Sequence, residues 1–150
     1  MIALDPKAAY PYNNLGIVYT EQKHYDEAIA AHQQAIELDP DNDWSFYLRA
    51  LTYGKLNHPD LAHTDFQQAI SLAQIEYEKD PTDWRNTFNL ALYHLTAGNQ
   101  QDSDRLYQSG LNAPSEWREE AIQDLTDFLN LFPDHQPVQQ MQALLQSSSE

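Results

Sequence analysis

Three short stretches carry side chains that could do chemistry. "HPDLAH" (58–63) sets His58 and His63 five residues apart, with Asp60 and Asp65 close by. A zinc ion held from one helix needs ligands three or four apart, on a shared face. Five apart turns the imidazoles away from each other, so the stretch reads as an exposed turn between helices. "DPDND" (39–43) alternates carboxylates as a calcium loop begins. Such a loop then needs glycine sixth and glutamate twelfth, where this chain has Trp44 and Ala50. An aspartate capping the next helix accounts for it better. His32 falls on the packing face of a helical pattern and reads as a buried, hydrogen-bonded histidine, although imidazole can change charge near neutral pH. Phosphate loops, dinucleotide fingerprints, H-E-x-x-H and nucleophile elbows are absent from the sequence. The expectation is a non-catalytic protein with no cofactor and no metal.

Composition narrows the partners. The 150 residues carry a formal charge of −15 and no cysteine. Nucleic acid needs clustered Lys and Arg, and the eight basic residues here are scattered, so no nucleic-acid partner is expected. The acidity solvates the surface and biases association toward cationic partners. Without cysteine there are no disulfides or thiolate sites, which fits a reducing compartment. No apolar run approaches the roughly 20 residues of a membrane span. "MIALDPKAAY" does not read as a signal peptide. A cytoplasmic protein is expected.

The elements that would position any site emerge from self-comparison. Shifted by 34 residues, Gly16 meets Ala50, Tyr19 meets Tyr53, Ala28 meets Ala62, Ala35 meets Ala69 and Ile36 meets Ile70. A third copy follows after 41, where Ala50 meets Ala91, Phe66 meets Tyr107 and Ile70 meets Leu111. The extra seven residues fall near "SLAQIEYEKDP" (71–81), and seven is close to two helical turns, so they lengthen a helix and nearly keep its faces. Apolar periodicity and Asp-Pro stops predict helices at about 9–22, 25–38, 43–56, 59–79, 83–97, 100–112, 115–131 and 135–146. Ser115 is expected to start the seventh. Small residues at 28 and 35 share a face and let a neighbouring helix approach closely.

These positions resemble the tetratricopeptide repeat (TPR). Residues 9–42 show its pattern as Tyr12, Leu15-Gly16, Tyr19, Ala28, His32, Ala35 and Pro40, with His32 where a large aromatic is usual. Residues 43–76 show Phe46, Arg49-Ala50, Tyr53, Ala62, Phe66 and Ala69. Residues 84–114 match more faintly through Leu90-Ala91, Gly98, Tyr107 and Leu111. The resemblance implies an all-α fold, a right-handed α-α superhelix of about three helix-turn-helix repeats plus C-terminal capping helices. The expected organisation is one domain: 1–8 as the remnant of a preceding repeat, 9–42, 43–81 with an extended second helix, a degenerate 82–114, a helical pair 115–146 and a frayed tail 147–150.

The resemblance also implies a site. First helices of the family line a concave groove that takes a peptide or protein segment. Its positions fall here on Tyr10, Asn13, Asn14 and Ile17 of the first repeat, Trp44, Tyr47, Leu51 and Lys55 of the second, and Arg85, Phe88, Asn89 and Leu92 of the third. Aromatic groups there would offer roughly 1.5–3 kcal/mol each if a partner buried them, and asparagines could bond its backbone. With only Lys55 and Arg85 as groove cations, a clamp for a terminal carboxylate is not expected. The partner should carry apolar anchors and basic flanks. Two alternatives remain: a homo-oligomerising assembly module, for which the 115–131 stripe (Trp117, Ile122, Leu125, Phe128, Leu129, Phe132) is the candidate surface, or a regulatory segment of a larger protein.

Overall fold

The computed structural model describes residues 8–148; the expected remnant at 1–8 and tail at 147–150 therefore lie largely outside the described residues. Eight helices are seen, with no strand among the described residues: α1 (Ala9–Glu21), α2 (Tyr25–Leu38), α3 (Asp43–Lys55), α4 (Pro59–Lys79), α5 (Trp84–Ala97), α6 (Gln100–Gly110), α7 (Ser115–Leu131) and α8 (Gln136–Ser147). Every end lies within two residues of its expected position, because Pro, Gly and Asx residues punctuate the chain so clearly. The fold class is all-α, as the residue pattern implied.

Two compact units are formed, and the division falls after Leu72, inside α4. In the first, α1 packs on α2, α2 on α3, and α1 also touches α3. Alanines at 28, 35 and 50 are wholly buried, which is what lets those helix axes come close. In the second unit α5 packs against α6, α7 and α8, and α7 against α8. The α7 stripe is covered from within: Leu125 and Phe128 are buried, as are Val138, Met141 and Leu145 of α8. Phe132 stacks on Phe128 with centroids 4.9 Å apart, and His135 meets Phe128 edge-on at 5.0 Å. A Gln142 amide donates to the Thr126 hydroxyl at 2.7 Å. Phe128 therefore belongs to the core of this unit, so the self-association alternative cannot rest on it.

Helix α4 runs for 21 residues where α2 runs for 14, so it is the longer by the seven inserted residues. Its far end is closed by Asn86, whose side-chain amide donates to the carbonyls of Glu76 (3.1 Å) and Asp80 (3.2 Å). One cap differs from expectation. Helix α3 is capped by Asn42, whose side-chain carbonyl accepts from Ser45 N at 3.3 Å, and Asp43 is already helical. Helix α7 starts at Ser115 as expected, with Pro114 at its cap position.

The turns within the three hairpins repeat to the residue. Lys23, Asn57 and Gly98 are the positive-φ residues, at 64°, 59° and 90°, and they are separated by the same 34 and 41 found in the sequence. After each, a backbone N–H closes the turn onto an upstream carbonyl: His24 to Tyr19 (2.8 Å), His58 to Tyr53 (2.9 Å) and Asn99 to His94 (2.8 Å). Only glycine takes this conformation without steric penalty, so Lys23 carries strain that Gly98 does not. Space around Gly98 is open, which isolates the backbone term. Urea denaturation should show Gly98→Ala destabilising by about 1 kcal/mol and Lys23→Gly shifting stability in the opposite direction.

Candidate functional site

The same two positions meet in every hairpin. A residue of the first helix touches the one nineteen places later in the second: Asn13 with His32, Tyr47 with Phe66, and Phe88 with Tyr107. In the second and third hairpins these are aromatic pairs, with centroids 6.2 and 6.1 Å apart. In the first the pair is polar. The Asn13 amide nitrogen donates to Ser45 Oγ at 2.8 Å, which leaves its oxygen to accept from His32 Nδ1 at 3.3 Å. A neutral His32 thus carries its proton on Nδ1.

Small residues give these pairs room. The His32 ring lies where a Cβ on Gly16 would sit, and the Phe88 ring where a Cβ on Gly110 would sit. Both glycines are therefore steric requirements of close helix contact. Burial, with the like charge of Arg49 second, lowers the His32 pKa to about 4.

A second polar group sits in the next layer. Arg49 occupies a position held by Leu15 in the first repeat and Leu90 in the third. Its Nε donates to Asp65 Oδ2 at 2.7 Å and a terminal nitrogen to Oδ1 at 2.8 Å, while the other terminal nitrogen donates to Gln33 Oε1. One guanidinium so ties α2, α3 and α4, in the paired geometry that suits Arg and not Lys. The Asp65 side chain is 5% exposed and that of Arg49 15%. The hydrogen bond it donates to Asp65 raises the Arg49 pKa, against burial, which lowers it. The rings of Phe46 and Tyr53 lie 5.7 and 5.8 Å from the guanidinium carbon. Asp65 is thereby withdrawn from the His58/His63 stretch. His63 is exposed, and His58 packs edge-on to Tyr53 in its turn at 6.5 Å. Among the described residues no three His, Asp or Glu gather as metal ligands would.

The groove positions divide sharply. Asn13, Tyr47, Leu51, Phe88 and Leu92 are buried in the chain itself. Asn13, Tyr47 and Phe88 point to the second helix of their own hairpin, since they are the first-helix members of the closing pairs. The family resemblance placed them on the right helices and missed that partner, although the nineteen-residue spacing was there to be read. Tyr10 is 59% exposed. Asn14 is exposed and Ile17 half-exposed, so with Tyr10 they form one stripe on α1. Trp44 and Lys55 of α3 are half-buried, and the Trp44 ring lies tilted against Tyr47 with centroids 5.0 Å apart. In the second unit Arg85 is exposed over Trp117, 5.4 Å from the ring centroid, and Asn89 is half-buried.

The tetratricopeptide-repeat family matches the chain at residues 9–42 and again at 33–64. The two matches together span residues 9–64, where the residue pattern showed the resemblance. Among characterised proteins, the "Lipoprotein NlpI homolog" of Haemophilus influenzae is 36% identical over 67 residues, 45% of this chain. The chain spans about a fifth of that relative, 21% of its length. Two solved structures overlie nearly the whole chain. The first TPR of Spaghetti (RPAP3) bound to the HSP90 peptide SRMEEVD is 20% identical, with a TM-score of 0.47, over 99% of this chain and 98% of that one. The NMR structure of the first TPR domain of the human RPAP3 protein is 20% identical, with a TM-score of 0.47, over 96% and 94%.

The buried ion pair makes a stability prediction. Asp65→Ala leaves a guanidinium unpaired in the core and should cost about 3–5 kcal/mol, whereas Arg49→Leu with Asp65→Ala should recover much of that loss. Equilibrium denaturation of the two variants checks both.

Proposed function

We propose that this chain is a non-catalytic interaction scaffold, and that α1 and α3 present the binding face of the first unit. The observation that carries this is the α1 stripe of Tyr10, Asn14 and Ile17, open to solvent on a tetratricopeptide-repeat helix. Trp44 and Lys55 extend the face onto α3, which α1 contacts. Tyr10 and Trp44 are rigid amphipathic anchors, and Asn14 can both donate to and accept from a peptide backbone. Arg85 and Asn89 form a separate polar face in the second unit. The partner is a protein segment with apolar anchors and basic flanks, because a surface at −15 repels acidic ligands and attracts cationic ones. The helices are already packed, so binding does not bear the entropy of ordering them.

A specific observation favours a second reading, self-association. Leu15 and Val18, on another side of α1, are 42% and 45% exposed. Their counterparts 34 residues on, Arg49 and Thr52, are covered, and α2 packs on the helix that carries them. A second helix like α2, from another copy, fits the open face. The compartment also belongs to the proposal. Lack of cysteine suits a reducing cytoplasm, whereas the partial relative is named a lipoprotein; fractionation of cells carrying the natural gene separates these.

A displayed random-peptide library tests the scaffold. Enriched peptides should combine an aromatic or aliphatic anchor with Lys or Arg, and Tyr10→Ala should weaken them at least tenfold, about 1.4 kcal/mol or more, without loss of helicity. No enrichment, or binding untouched by Tyr10→Ala with Asn14→Ala, contradicts the site. In the same preparations, a dimer by sedimentation that Leu15→Glu dissolves supports the second reading. Tyr47 and Phe88 are unsuited to this test because both are core.

A further inference from the structure

We propose that the first hairpin is an acid-released clasp: uptake of a proton at His32 detaches α1 from α2 and α3 while the other hairpins stay closed. The geometry is specific to this hairpin. At the closing position the others hold Tyr47 with Phe66 and Phe88 with Tyr107, and this one holds Asn13 with His32. Phenylalanine does not ionise, and burial keeps the Tyr107 phenol well above its ordinary range. Only the first closing pair can change charge in mildly acidic solution.

Its surroundings reject the added charge. His32 is 1% exposed, with its ring against Gly16 of α1. Nδ1 already donates to Asn13, so an incoming proton goes to Nε2 and creates a second donor there. The Gly16 carbonyl beside the ring accepts from Thr20 Oγ at 2.8 Å as well as from its own helix. From α1 the ring faces Asn13 and Gly16, neither of which ionises. From α3 the charged group acting on it is Arg49, of like sign to an imidazolium. From α4, Asp65 is held by Arg49 through two hydrogen bonds. A charged, doubly donating ring in this space is relieved by moving α1 away, which exposes the imidazole to water.

The sign follows from linkage. The His32 pKa is near 4 when folded and about 6.5 when open, so the open hairpin binds more protons between those values. Stability from this group is full above about pH 6.5 and is lost as pH falls toward 4. The second unit holds groups of both signs. Burial first, then the charges of Asp127 and Glu120, raise the Asp124 pKa to about 7, so its proton uptake favours the folded unit as pH falls from 7. Burial lowers the His94 and His135 pKa values, which acts the other way.

Amide hydrogen exchange on the whole chain, corrected for intrinsic rates, tests the clasp. Between pH 7 and pH 5 the opening constant of α1 and α2 amides should rise on the order of 20-fold, and the rise should depend on the His32 imidazole. His32→Phe, which installs the residue found in the second hairpin, should abolish the rise. A flat profile in the wild-type chain, or an equal rise in His32→Phe, overturns the proposal. Should His32→Phe not fold, the imidazole resonance of the wild-type chain decides: a midpoint below pH 5 supports the clasp and one near 6.5 overturns it. None of these readouts depends on what the α1 face binds.

Discussion

Each hairpin depends on one contact between two crossing helices. A first-helix side chain meets a second-helix side chain nineteen residues later, and small residues beside the pair set how close the helices come. Gly16 and Gly110 lie directly under rings, so neither position tolerates a methyl without displacing a helix. Because the contact recurs at a fixed register, the turns recur as well. Lys23, Asn57 and Gly98 share one backbone conformation although their side chains share nothing. Tertiary register overrides local preference there, and lysine accepts a conformation that glycine takes freely.

Much of this architecture was legible because it is periodic. The 34-residue and 41-residue shifts located every hairpin, and the seven inserted residues reappear as two extra turns of α4. The binding face was legible only in part. Helical position told which residues lie on first helices, but one helix has three sides in such a stack: toward its own hairpin partner, toward the neighbouring pair and toward solvent. Asn13, Tyr47 and Phe88 lie on the first side and Tyr10 and Asn14 on the third, while Leu15 and Val18 are open although their counterparts Arg49 and Thr52 are covered. Hydrophobicity does not separate them, since Tyr10 is open while Asn13 is buried. Arg49 was equally hard to place. A charged residue at a leucine position signals burial only when its acceptor is known, and Asp65 lies sixteen residues away on another helix.

The two buried polar pairs of the first unit differ in their chemistry. Arg49 and Asp65 pair opposite charges through two hydrogen bonds. His32 and Asn13 are neutral and satisfied only while His32 lacks its second proton. The first is a permanent tie among three helices; the second is conditional. That difference places a conditional contact on α1, the helix that also carries the open stripe of Tyr10, Asn14 and Ile17.

The most direct measurement of the central claim is a double-mutant cycle at the first closing pair, Asn13→Tyr and His32→Phe, followed by denaturant at pH 7. If the two positions close the hairpin together, each single change is destabilising, and the double variant, carrying the aromatic pair of the second hairpin, regains stability by a coupling of at least about 0.5 kcal/mol. Strictly additive losses would show that the residues do not act as a pair, and would contradict the account.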